Sequence, residues 1–146
     1  MNLRLFIMMV MGLTFAFSTF VFADEEKEVQ VQIPATVSGI WQEVKDQEGQ
    51  LDKTISDKKL DKVHHFAFAI RDLVNALPDK STTLQAEGLS KVKSYAKYIA
   101  DIASRLDESG DANDQAGTEA NFGKLQGLLK SIEAQYSPDE LKEKSS

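Results

Sequence analysis

The sequence predicts an all-α protein: an up-down-up-down four-helix bundle that follows a cleaved signal peptide. Three observations carry this reading. Apolar residues recur at alternating steps of three and four in four separate stretches, which at about 100° per residue draws one stripe along each helix. The connections between the stretches are short, and short links force successive helices to lie antiparallel. No segment alternates with period two strongly enough to compete as a sheet.

Residues 1–23 read as a targeting segment. Arg4 supplies the positive start, Leu5 to Phe20 is apolar with few breaks, and Val21-Phe22-Ala23 sets modest side chains at a cleavage position before the acidic run Asp24-Glu25-Glu26. The apolar run is near the lower length of a membrane span, so a retained anchor is the alternative; with cleavage, no stable anchor remains. Removal of this segment leaves 123 of 146 residues, enough for one domain, and takes the net charge from −6 to −7, since Arg4 is the only charged residue lost. In a Gram-negative cell the destination is the periplasm. Residues 24–36 form a lead-in arm, charged at first, then alternating through Val29, Val31 and Ile33 to Pro34.

The bundle is expected over residues 37–136. Helix one spans about 37–55, with Val37, Ile40, Trp41, Val44, Leu51 and Ile55 on one face and Glu48 interrupting it. Gly39 and Gly49 weaken it by roughly 1 kcal/mol each relative to alanine. Ser56 and Asp57 can cap the start of helix two. That helix carries Leu60, Val63, Ala67, Ile70, Val74 and Leu77 in the cleanest repeat of the chain, widened by Phe66 and Leu73, and Pro78 is expected to stop it. Helix three, about 84–108, repeats the spacing at Leu89, Val92, Ala96, Ile99, Ala103 and Leu106, and Gly110 is expected to end it. Helix four, about 113–135, sets Thr118, Phe122, Leu125, Leu129, Ile132 and Tyr136 on one face. Residues 137–146 read as a charged, disordered tail.

Composition removes several function classes. The chain has no cysteine, and its four methionines (Met1, Met8, Met9, Met11) all leave with the signal. That excludes a disulfide framework, thiolate metal sites, c-type haem attachment and thioether sites for Cu(I), and it argues against haem held by a Met axial ligand. An acidic chain with no basic stripe is a poor nucleic-acid binder. Neither a nucleophile elbow nor a His-Glu-x-x-His motif is present, so no enzymatic activity is expected. The run Asp107 to Asp114 fails the calcium-loop register at its glycine and at its twelfth position, and reads as a helix stop followed by acidic caps for the next helix.

What chemistry the sequence offers gathers on helix two. Helical rotation places His65 nearly opposite the apolar stripe, close to Asp61, four residues back, and Asp72, seven on, so that imidazole and carboxylate can reach one Zn²⁺ or Cu²⁺. His64, at the edge of the stripe on the side of Phe68, Arg71 and Asn75, is a further candidate ligand. The plainer reading is a solvated histidine beside two acids. On another side, Phe68 lies off the core stripe with Arg71 and Asn75 near it, which suits an aromatic anchor for a protein partner.

The stretches Lys62–Pro78 and Leu106–Asp114, with the ending Ile132-Glu133-Ala134-Gln135-Tyr136, resemble a group of small exported helical-bundle proteins of proteobacteria, largely uncharacterised. Some members accompany heavy-metal efflux systems, so the resemblance implies a periplasmic accessory role. Two readings stand: an accessory protein that binds or responds to a divalent transition metal through helix two, or a metal-free bundle that engages a periplasmic protein through the Phe68/Arg71 face.

Overall fold

The computed structural model describes residues 31–142, and within them every regular element is helical. The expected signal segment (residues 1–23), residues 24–30 of the expected arm and residues 143–146 lie outside the described residues. Four long helices follow one another: α1 (Val37–Ser56), α2 (Val63–Lys80), α3 (Ala86–Asp111) and α4 (Gln115–Glu133). A single 3₁₀ turn, Leu60–Lys62, leads into α2, and a one-turn helix α5 (Pro138–Leu141) follows α4. No helix among the described residues is long and apolar enough to cross a membrane.

Helix α1 packs on α2, α2 on α3, and α3 on α4. A looser, polar seam joins α1 to α4. Gln115 donates to the Ile55 carbonyl at 3.1 Å, Gln126 to Glu48 at 3.3 Å, and Lys45 meets Glu133 at 3.8 Å. Along this seam the α1 positions fall as the α4 positions rise, so these two helices run in opposite senses. Glu48, which interrupts the apolar stripe of α1, is the residue that this seam uses.

The apolar stripes converge on one core. Ile40, Val44, Leu51, Ile70, Leu73, Leu77, Ile99, Leu106, Leu125 and Ile132 are wholly buried. Each such side chain contributes on the order of 2 kcal/mol of transfer free energy. No sulfur atom takes part: from residue 31 to 142 the chain has neither methionine nor cysteine.

Helix ends depart from expectation in informative ways. Pro78 sits inside the last turn of α2, which runs on to Lys80, because proline forfeits its own donor without preventing later residues from donating. Ser56 and Asp57 do not cap α2; they close α1. Asp57 is its C-cap, Lys58 takes the left-handed conformation (φ 58°), and Lys59 N–H returns to the Thr54 carbonyl while Lys58 N–H returns to Ile55, a Schellman closure. The end of α3 repeats it: Asn113 (φ 52°) donates to Gly110 and Asp114 to Ser109. Gly110 therefore does not stop α3 but lies within it. Asp114 then caps α4 by accepting from Gly117 N–H at 3.0 Å, as the acidic run suggested.

Residues 137–142 are ordered, where a disordered tail was expected. Ser137-Pro138-Asp139-Glu140 is a capping box with proline in the first turn, and Leu141 is buried against the helices. Glu140 also accepts from the Thr83 hydroxyl and from the Ser137 backbone N–H, and these donors, Thr83 foremost, hold its carboxyl below the usual range. Nearby, the buried hydroxyls of Ser81 and Tyr136 meet at 2.7 Å, and Ser81 donates to the Leu77 carbonyl at 2.6 Å. Burial raises the Tyr136 phenol despite its bond to Ser81.

Candidate metal centre

The start of α2 and the end of α3 approach until almost nothing separates them. A Cβ at Gly110 would lie 2.7 Å from the Leu60 carbonyl oxygen and 3.4 Å from Val63 Cβ, so only a hydrogen fits there. His64 follows Val63 directly, and Asp107 and Asp111 flank Gly110 one helical turn apart on α3. The close approach thus sets one imidazole against two carboxylates.

Ligand atoms of His64, Asp107 and Asp111 all lie within 4.8 Å of one another. His64 and Asp107 are half-buried and Asp111 is exposed, which leaves the group open to solvent on one side. Two donors bonded to one ion at about 2.1 Å are at most about 4.2 Å apart, so small side-chain rotations close the set. Charge points the same way. The last turn of α3 carries no basic residue, and its carboxylates sit at the negative end of the helix dipole. A cation held between Asp107 and Asp111 offsets both.

The sequence-derived ligand set is brought together only in part. Among the described residues, His64 joins a convergent group, whereas His65, Asp61 and Asp72 do not form one. The reason is local. Asp61 lies in the 3₁₀ turn rather than in α2, so the four-residue α-helical spacing assumed between it and His65 is broken. Its carboxylate pairs with Lys62 at 3.5 Å, and Asp72 pairs with Arg71 at 2.7 Å. His65 is half-buried with its ring 4.0 Å from that of His64.

Asp107 and Asp111 were missed because their stretch read as a helix stop. The available signal was a pair of carboxylates at i, i+4 at the C-terminal end of a helix whose last turn carries no basic residue. On the expected partner face, Phe68 is half-buried and packs on the core, the Arg71 guanidinium covers its ring at 4.5 Å, and Asn75 is exposed.

Comparison with protein families, with curated proteins and with solved structures returned no match for this chain.

Proposed function

We propose that the chain is an exported accessory protein, built as an up-down-up-down four-helix bundle, that binds a divalent transition metal across the α2–α3 seam. The observation that carries the reading is the convergence of His64, Asp107 and Asp111. One imidazole and two carboxylates suit Zn²⁺ first, with Cu²⁺ and Ni²⁺ as competitors. The imidazole disfavours Ca²⁺ and Mg²⁺, which take oxygen ligands, and the missing sulfur disfavours Cu(I). Three protein donors leave a position for water or for a donor from another molecule, and the exposed Asp111 opens the site to solvent; the reading is a site that holds an ion and hands it on. Periplasmic location follows from reading residues 1–23 as a signal, and service to an efflux system rests on likeness to small exported bundles.

The test is an NMR titration of residues 24–146 with Zn²⁺ and then Cu²⁺ in a non-chelating buffer. The His64 imidazole and the Asp107 and Asp111 carboxylates are expected to shift together and saturate at one equivalent. His64→Ala or Asp107→Asn is expected to weaken binding at least tenfold, and His65→Ala to leave it within about threefold. No response below a large excess of metal, or a His64→Ala chain that binds as tightly as the parent, overturns the proposal.

A further inference from the structure

The metal ligands occupy the α2 side of α3. Its other side, against α4, carries a shallow groove of about 360 Å³ bordered by Tyr98, Asp101, Ile102, Lys124, Gly127 and Leu128. Three properties set this patch apart from a solvated surface. Tyr98 is 60% exposed, the most open large apolar side chain among the described residues. Beside it, Gly123 and Gly127 leave the outer face of α4 bare: a Cβ at either position would meet nothing within 4 Å. The patch also holds one charge of each sign. Asp101 is 60% exposed at its side chain and pairs with its own-helix neighbour Arg105 at 3.0 Å, while Lys124 makes no ion pair among the described residues.

A projecting aromatic, a recess next to it, and opposite charges on the two bordering helices are the requirements of a self-complementary surface. In a two-fold dimer each contact occurs twice, residue i on j and j on i. We propose that the α3–α4 face docks a second copy of this chain. Tyr98 of each copy enters the groove of the other over Gly127, and Lys124 of each meets Asp101 of the other. Tyrosine suits the role because it brings a large rigid contact area at the cost of few torsions. The bare glycine surface lets the α4 backbone come close to the incoming ring. Opposing this, each copy carries net negative charge, −6 over the full sequence; at physiological salt that repulsion is screened beyond about 8 Å, while contacts inside the interface are not. A weak, reversible dimer is the expected balance. The proposal is independent of the metal reading, since the two sites lie on different sides of α3.

Sedimentation velocity from about 5 µM to about 500 µM, at about 0.15 M salt and without metal, tests it. The mass is expected to rise from one chain towards two across that range. Tyr98→Ala is expected to raise the dimer Kd at least tenfold. Lys124→Glu alone also weakens the dimer, and adding Asp101→Lys, which restores opposite charges with the signs exchanged, is expected to return Kd to within about threefold. All three positions are exposed, and helical circular dichroism checks that each variant folds. A parent chain that stays monomeric at the highest concentration overturns the proposal and leaves the face to another partner or to solvent. A dimer indifferent to Tyr98→Ala and Lys124→Glu overturns it too, since the copies then meet elsewhere.

Discussion

Gly110→Ala is the substitution whose outcome depends most directly on the packing of α3 against the turn before α2. The new methyl would stand 2.7 Å from the Leu60 carbonyl oxygen. Even a C–H···O contact sits at about 3.3 Å, so the two groups must part by roughly 0.6 Å. The obstacle is main chain in a 3₁₀ turn, which cannot swing aside as a side-chain tip would. Forced overpacking of this kind costs about 1–3 kcal/mol, and the better helix propensity of alanine returns up to about 1 kcal/mol. The net expectation is a loss of about 1–2 kcal/mol. Gly49→Ala is the matched control: it too lies within a helix, but its Cβ would meet nothing within 4 Å, so it is expected to gain about 0.5–1 kcal/mol. Urea unfolding followed by circular dichroism and by Trp41 fluorescence reads both. At an m-value of about 1–3 kcal/mol/M the two midpoints should separate by about 0.5–3 M. Displacement of Leu60–Lys62 also carries His64 with it, so Gly110→Ala should weaken Zn²⁺ binding while Gly49→Ala does not. A Gly110→Ala chain as stable as the parent would refute the account of this contact.

Three further outcomes are expected. Lys58→Gly removes the left-handed strain of a residue with a Cβ and should stabilise the fold by about 1 kcal/mol, whereas Asn113→Gly should gain less, since asparagine tolerates that conformation; urea midpoints check both. Ser81→Ala leaves the buried Tyr136 hydroxyl without its partner and should cost about 1–3 kcal/mol, more than Tyr136→Phe, after which Ser81 keeps its bond to the Leu77 carbonyl; thermal unfolding of the two variants ranks them. Because the Glu140 carboxyl is held below its ordinary value in the folded chain, its contribution to stability is present above the unfolded carboxylate range and is lost as pH falls through the lowered value. Thr83→Val should raise the Glu140 pKa towards the ordinary range in a carbon-detected NMR titration.

The helices and their buried faces were legible because a period of three and four is a long signal. Ile40, Trp41, Val44, Leu51 and Ile55 on α1, and Val92 to Leu106 on α3, are buried as the spacing required. Helix ends were legible at Asp114, which caps α4, but not at most other turns, because each is decided by one or two residues. Lys58 and Asn113 adopt the conformation expected of glycine, Gly110 is used for proximity instead, and Ser137 to Glu140 carry a cap that only matters once Leu141 finds the core. The candidate site fell between these cases. His64 was visible from its own helix, but Asp107 and Asp111 reach it across a seam, and no spacing within one helix encodes which turn of a neighbour lies opposite.

The sulfur-free body has a chemical consequence of its own. Oxidants that turn methionine into its sulfoxide or cysteine into its acids find no such side chain between residues 31 and 142. The aliphatic interior gives peroxide nothing to convert into a polar group, and Trp41 is 2% exposed. Should a redox-active ion such as Cu²⁺ occupy the α2–α3 seam and generate radicals there, the injury falls on the imidazoles of His64 and His65 beside it. Under the proposed metal reading the ligands are then lost while the packing that holds them stays whole, so that oxidative wear is expected to read as weakened metal binding before any unfolding.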